Sequence, residues 1–125
     1  MTRVLLLVGT GGFLGSVSRY LIASWFTKNI PASFPYGTFI VNSVGCLLIG
    51  LVYGFSLKFE SMSPAWRLFL ATGFCGGFTT FSSFAYENVS LVQNQELMVM
   101  WVYVLFSLVI GFSAAFAGIL ITKLF

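Results

Sequence analysis

Charged side chains are scarce in this chain of 125 residues, which has six basic residues, three acidic residues and no histidine. They make up 7% of the sequence, whereas soluble domains carry about 25%. So few charges cannot cover the surface of a water-soluble fold, and the composition favours a membrane protein. The basic residues are scattered rather than grouped, which argues against nucleic acid as a partner.

Side chains that carry enzyme chemistry are also few. The chain has two cysteines, Cys46 and Cys75, which lie in separate apolar stretches without the close spacing of a metal or redox motif. We interpret them as small packing residues. The glycines at 73, 76 and 77 do not follow a strand, as those of phosphate-binding loops do. We therefore predict that the protein is not an enzyme.

What the sequence has in abundance is apolar side chains, which form four stretches. Each stretch is long enough to cross a bilayer, which takes about 20 residues. The predicted helices run from Val4 to Phe26, Tyr36 to Leu57, Ala65 to Leu91 and Leu97 to Thr122. Short turn-forming or polar segments connect them, one of which runs from Lys58 to Pro64. We predict one all-α domain over residues 1–125.

The charges between these helices give only a weak topological bias. Short connections make consecutive helices antiparallel, so both termini are expected on one side. The terminal side has four basic residues and the other side has two, if Arg19 is taken to lie near the end of its helix. The basic residues of the terminal side are Arg3, Lys58, Arg67 and Lys123, and those of the other side are Lys28 and Arg19. The bias favours cytoplasmic termini, but it is small enough that insertion in both orientations is also compatible with it.

The third apolar stretch has an unusual centre. Three glycines occur between residues 73 and 77, and Thr79, Thr80, Ser82 and Ser83 follow them. This pattern favours a helix that breaks at membrane depth, where the freed carbonyls would face protein or a cavity and could bind a cation. A close helix crossing at the glycines, without a break, is the alternative.

Polar and aromatic side chains flank this centre. On a helix after the break, Phe81 and Phe84 share one face, and Thr80, Ser83 and Glu87 share another. The electropositive edges of two phenyl rings, beside the amide group of Asn42, could hold a small anion without a fixed positive charge. Asn42 could equally bridge two helices, and the rings could be ordinary core residues.

The fourth helix places Tyr103 and Ser107 one turn apart, and Gly111 continues the same line. Hydroxyl groups in a row could hydrate an ion in transit or tie two helices together. Four helices are too few to enclose a pore and also to bury these groups. The sequence therefore implies an assembly of subunits.

Three motifs give the chain a resemblance to the Fluc (CrcB) family of bacterial fluoride channels. The motifs are the glycine-rich run at residues 11–20 that ends in Arg19 and Tyr20, the segment 36–42 from Tyr36 to Asn42, and the run 73–84 followed by Glu87. The similarity extends along essentially the whole chain. Gly111 departs from the pattern, since some relatives have a further serine there.

The resemblance implies passive fluoride export and fluoride resistance through an antiparallel, dual-topology homodimer with two pores in the bacterial inner membrane. It implies that the pore is lined by Thr38, Asn42, Phe81, Phe84, Tyr103 and Ser107. Arg19 would belong to a basic vestibule. The carbonyls of Gly76 and Thr79 from both subunits would hold one structural sodium ion at the dimer interface.

Two other functions are compatible with four apolar helices. A small multidrug-type proton-coupled transporter needs a carboxylate deep in the membrane, and Glu87 is the one candidate. Glu87 lies toward the end of its span, where a contact with a helix terminus or with Arg19 is as plausible. A membrane subunit that only packs against a partner through its small residues is the second alternative.

Overall fold

The computed structural model describes all residues of the chain except Phe59 and Ser61. The described residues are helical apart from short connections. The elements in chain order are α1 Thr2–Asn29, α2 Tyr36–Lys58, α3 Pro64–Arg67, a π-helix Leu68–Cys75, α4 Gly76–Phe78, α5 Phe81–Gln93 and α6 Leu97–Thr122. We call the residues from Pro64 to Gln93 the third span. The four predicted helices are confirmed, and part of the predicted connection from Lys58 to Pro64 lies outside the described residues.

All four spans are long and apolar enough to cross a membrane. Their outer surface is covered by large apolar side chains such as Leu5, Leu105 and Phe116, whereas many of the buried residues are glycines. This is the distribution expected where lipid, rather than water, surrounds the helices. The chain is therefore a multi-pass membrane protein.

Glycine allows α2 and α6 to approach each other closely. A Cβ atom at Gly50 would collide with the Ala115 carbonyl oxygen, and one at Gly118 would lie 2.5 Å from the Leu47 carbonyl oxygen. Neither backbone can give way as a flexible side chain would. This pair of helices is the most extensive contact in the described structure.

Glycine also sets the contact between α1 and the first half of the third span. A Cβ atom at Gly11 would lie 2.5 Å from the Phe69 carbonyl oxygen, and one at Gly77 would lie 2.5 Å from the Gly12 carbonyl oxygen. The third span is a π-helix over most of this contact. The expected glycine crossing is therefore present here.

The predicted break in the third span is confirmed, and it lies at Thr79 and Thr80. Thr79 has φ −84° and ψ 158°, and Thr80 has φ −151° and ψ 118°, so both residues are extended. The preceding glycines remain helical, and Gly73 and Gly77 pack against α1. The helix resumes at Phe81, where the Thr80 hydroxyl accepts a hydrogen bond from the Ser83 amide at 3.2 Å. The third span thus has both a break and a close crossing, which the sequence suggested as alternatives.

Candidate ion pathway

The break releases backbone carbonyls, among them those of Gly76 and Thr79, from their helical partners. In an unbroken helix the Gly76 carbonyl would accept from the Thr80 amide, but that amide donates to Asn42 Oδ1 at 2.8 Å. The Thr79 carbonyl would accept from the Ser83 amide, but that amide donates to the Thr80 hydroxyl. Gly76 and Thr79 both line a cavity of about 440 Å³. The two predicted sodium ligands therefore lie where helical hydrogen bonding has ended.

Asn42 holds the extended residue Thr80 by its backbone. Its Oδ1 accepts from the Thr80 amide at 2.8 Å, and its Nδ2 donates to the Thr80 carbonyl at 3.0 Å. The contact satisfies the Thr80 amide, which no longer bonds to Gly76, and adds a donor to the Thr80 carbonyl. The bridging contact considered in the sequence is therefore present. The amide also has a second N–H group, and the side chain lines the 440 Å³ cavity.

Arg19 lies at a different depth from the one the sequence suggested. Because α1 continues to Asn29, Arg19 is well inside the helix and not near its end. Its Nε donates to the Gly77 carbonyl at 3.1 Å, another carbonyl that the break deprives of its helical partner. Arg19 therefore places a positive charge beside the break. The suggested contact with Glu87 is replaced by this one.

Glu87 is instead bound by two hydroxyl groups from neighbouring helices. Thr38 Oγ1 donates to Glu87 Oε2 at 2.7 Å, and the Tyr103 hydroxyl donates to Glu87 Oε1 at 2.8 Å. Thr38 is 7% exposed and Tyr103 is fully buried. Three helices, α2, α5 and α6, are joined at this point. We call these three residues the Glu87 cluster.

The aromatic rings lie between the Glu87 cluster and the break. The ring centroid of Phe84 is 4.9 Å from that of Tyr103 and 5.8 Å from that of Phe81. Phe81 is 78% exposed in the single chain, and both phenylalanines line the 440 Å³ cavity. Tyr103, Phe84 and Phe81 therefore form a continuous aromatic row that ends at an open cavity.

Ser107, on α6, lines the same cavity as Phe81 and Phe84. It therefore shares the cavity with Asn42, as the sequence predicted for pore-lining residues. Gly111, one turn further, is buried, and a Cβ atom there would be 3.5 Å from the sulfur of Cys46. The predicted line of Tyr103, Ser107 and Gly111 thus runs along the side of α6 that faces α2 and α5.

A second cavity, of about 400 Å³, lies beneath the connection between α1 and α2. Pro31 and Phe34 of that connection line it, and Thr38 and Glu87 lie at its inner end. The Glu87 cluster therefore lines this cavity through Thr38 and Glu87 and joins the aromatic row through Tyr103. Together the two cavities and the groups between them outline a path along α5.

Sequence reasoning did not find the Glu87 cluster. It placed Thr38 and Tyr103 in the pore by resemblance and considered Glu87 alone, without connecting the three. The signal was available in outline, because a carboxylate buried in a membrane protein needs donors and hydroxyls are common donors there. Which hydroxyls face it depends on how the helices cross, which the sequence does not specify.

Comparison with known proteins places the chain in a family. Residues 6–119 match the family model described as "CrcB-like protein, Camphor Resistance (CrcB)". The match covers nearly the whole chain. The chain belongs to the CrcB-like family. This confirms the resemblance that the three sequence motifs suggested.

Several CrcB-like relatives are named "Fluoride-specific ion channel FluC". One from Flavobacterium psychrophilum is 41% identical over 121 residues, which are 97% of this chain and 98% of the relative. One from Leptospira interrogans is 42% identical over 124 residues, 99% and 98% of the two chains. One from Chlorobium chlorochromatii is 48% identical over 116 residues, 93% and 89% of the two chains.

Proposed function

We propose that this protein is a fluoride-selective channel that lets fluoride leave the cell passively and so confers fluoride resistance. The observation that carries the proposal is the cavity where Asn42, Ser107 and the rings of Phe81 and Phe84 meet. Membership of the CrcB-like family and the names of the relatives support it. Conduction of this kind is not an enzymatic reaction.

The chemistry of the cavity suits a small, strongly hydrated anion. Phenyl edges, an amide N–H and hydroxyl groups each carry partial positive charge, and together they replace part of the hydration shell. None of them carries a full charge, so the ion is held weakly enough to leave again. An inside-negative membrane potential of 100 mV drives a monovalent anion outward by about 2.3 kcal/mol.

We further propose that two copies assemble as an antiparallel, dual-topology homodimer in the bacterial inner membrane, with two pores. The high exposure of Phe81 supports this, because the cavity of one chain lacks a wall beside that ring. A second copy in the opposite orientation would supply the wall in both cavities at once. The terminal side has four basic residues and the other side has Lys28, with Arg19 well inside α1, and so small a number of charges is compatible with both orientations.

The freed carbonyls of Gly76 and Thr79 fit a structural sodium ion at the dimer interface. Oxygen donors are the ligands that hard cations prefer, and broken transmembrane helices supply them from the backbone. Two carbonyls from each copy would give four ligands. Bound sodium would offset the partial negative charge of the carbonyl oxygens and join the two copies.

The conduction proposal is tested by fluoride efflux from liposomes that contain the purified protein, with chloride as the comparison anion. We expect rapid fluoride efflux, little chloride efflux, and loss of flux in Phe81→Ile, which removes the phenyl edge and keeps an apolar side chain. Phe116→Ile is the matched control, since Phe116 is exposed on α6 and does not line the cavity. Fluoride that stays trapped in vesicles with well-folded wild-type protein would rule out the channel.

The sodium proposal is tested by the thermal stability of the purified protein. We expect a higher melting temperature in sodium than in N-methylglucamine at equal ionic strength, because an ion that binds only the folded state stabilises it by about RT ln(1 + [L]/Kd). Lithium and potassium serve as cations of other sizes. A melting temperature that is the same in all four cations would count against a sodium site.

A further inference from the structure

Two thiols that are far apart in the sequence line the same cavity as the candidate pathway. Cys46 lies on α2, and Cys75 is the last residue of the π-helix. Both are free, and both line the 440 Å³ cavity together with Asn42 and Thr79. They are the two cysteines of the whole chain. Their separation in the sequence hid this pairing from motif analysis.

The crossing of α2 and the third span brings the two cysteines to the same cavity. A Cβ atom at Gly45, next to Cys46, would touch the Thr79 side chain and lie 3.4 Å from Phe78 Cδ2. Cys75 is one helical turn before Thr79, and its carbonyl accepts from the Thr79 amide at 3.0 Å and from the Thr79 hydroxyl at 2.9 Å. The crossing at Gly45 and Thr79 therefore positions the backbone of both cysteines.

Two of the residues beside the thiols, Gly111 and Ala71, are small. A Cβ atom at Gly111 would be 3.5 Å from the Cys46 sulfur, with no other atom within 4 Å. Ala71, one turn before Cys75, also lines the cavity. These two small residues and the 440 Å³ cavity leave room for an ion beside the thiols, although Ile49 and Leu108 also line the wall.

We propose that Cys46 and Cys75 together bind a soft monovalent cation of the Cu(I) and Ag(I) class within the pathway. Thiolate sulfur is the ligand that selects such cations over sodium or magnesium. Binding releases the two thiol protons to solvent as two metal–sulfur bonds form, and no electron is transferred. The product carries a net charge of −1, so it opposes the passage of an anion both by its volume and by its charge.

Binding is measured first, without ion flux, so that its outcome does not depend on whether the protein conducts fluoride. Purified protein in detergent is dialysed against Ag⁺ in chloride-free nitrate buffer, and bound silver is measured by mass spectrometry. We expect one Ag⁺ per wild-type chain. Cys46→Ser and Cys75→Ser should each weaken binding by at least about tenfold, because each removes one of two ligands. The double variant has no thiol and gives the background.

A large excess of sodium distinguishes this site from the backbone carbonyls of the break. Ag⁺ held by thiols should stay bound, whereas Ag⁺ held by carbonyls should be displaced. Displacement by sodium would overturn the proposal. So would two Ag⁺ per wild-type chain with one retained in each single variant, since that result means two independent thiols.

The effect on conduction is measured second, and this part rests on the proposed function. Ag⁺ should stop fluoride efflux from liposomes with wild-type protein, while the double serine variant should keep the flux that it has without Ag⁺. Each variant is compared with itself, so a change in its own rate does not affect the result. Equal inhibition of wild type and double variant would overturn the location of the site in the pathway, even if silver binds.

Discussion

Asn42 illustrates how one side chain can serve the fold and also lie in the proposed ion pathway. Its side-chain amide bonds to both the amide and the carbonyl of Thr80, and the Thr80 amide has lost its helical acceptor at Gly76. The hydrocarbon core of a membrane offers these groups no water as a hydrogen-bond partner. The break therefore depends on the contact with Asn42. The same contact fixes Asn42 at the cavity, where its second N–H group is available to an anion.

Replacing Asn42 should therefore destabilise the fold as well as reduce flux. We expect Asn42→Leu to lower the free energy of unfolding by about 2 kcal/mol or more, because a buried donor and a buried acceptor lose their partners. The measurement is unfolding of the purified protein in detergent, followed by circular dichroism.

Asn88 offers a matched control on α5. Its Nδ2 donates to the Phe84 carbonyl at 2.8 Å, and its Oδ1 is a buried acceptor without a partner among the described residues. Asn88→Leu removes that unsatisfied acceptor and leaves the α5 helix bonds in place, so its effect should stay within about 1 kcal/mol. Equal losses in the two variants would mean that Asn42 acts through packing and not through its contact with Thr80.

The hydrogen bonds of the Glu87 cluster could not be predicted from its residues taken one at a time. Glu87, Thr38 and Tyr103 were each recognised as unusual within an apolar span, and two were assigned to the pore by resemblance. The hydrogen bonds that join them cross from α2 and α6 to α5. Such contacts depend on the rotation of each helix about its axis. The sequence does not determine that rotation, because helices surrounded by lipid have only a weak amphipathic pattern.

For the third span, the sequence predicted the presence of a break but not the residues at which it occurs. Its length, its polar centre and its break follow from the sequence, since glycines and paired hydroxyl residues at membrane depth disfavour a regular helix. The location of the break at Thr79 and Thr80 does not follow from the sequence. The glycines, which could have marked the break, stay helical, and two of them pack against α1. The π-helix over Leu68–Cys75 has no recognisable sequence signal.

The contact between α1 and the third span should be sensitive to a single methyl group. A Cβ atom at Gly15 would collide with the Phe74 carbonyl oxygen and lie 2.8 Å from the Phe78 amide nitrogen. We expect Gly15→Ala to cost about 1–3 kcal/mol in the free energy of unfolding, since backbone must move to admit it.

Gly9 on the same helix is the control for that substitution. A Cβ atom at Gly9 has no heavy atom within 4 Å, so Gly9→Ala should be neutral or slightly stabilising, since alanine favours helix by up to about 1 kcal/mol. Both variants are compared by thermal unfolding in detergent. A Gly15→Ala protein as stable as Gly9→Ala would mean that α1 is not held against the π-helix as described.

For the molecule as a whole, the open cavity and the small charge bias lead to the same expectation. Each face has few basic residues, four on the terminal side and Lys28 on the other with Arg19 inside α1, and the cavity beside Phe81 is open on one side. A channel built from two opposed copies would close the cavity and would require insertion in both orientations. Each orientation should then be about equally populated in the membrane, and neither should conduct by itself.

Charge variants can separate the two orientations. Added lysines at the connection between α2 and α3 should hold the termini in the cytoplasm, and added lysines at residues 30–35 should hold them outside. We expect each variant alone to fail to protect a fluoride-sensitive bacterium, and both expressed together to restore protection, because only the mixture contains opposed copies. A terminal tag tested for protease access in each strain confirms the orientation. Full protection by a variant whose tag is entirely on one side would show that parallel or single copies conduct, and the antiparallel homodimer would have to be abandoned.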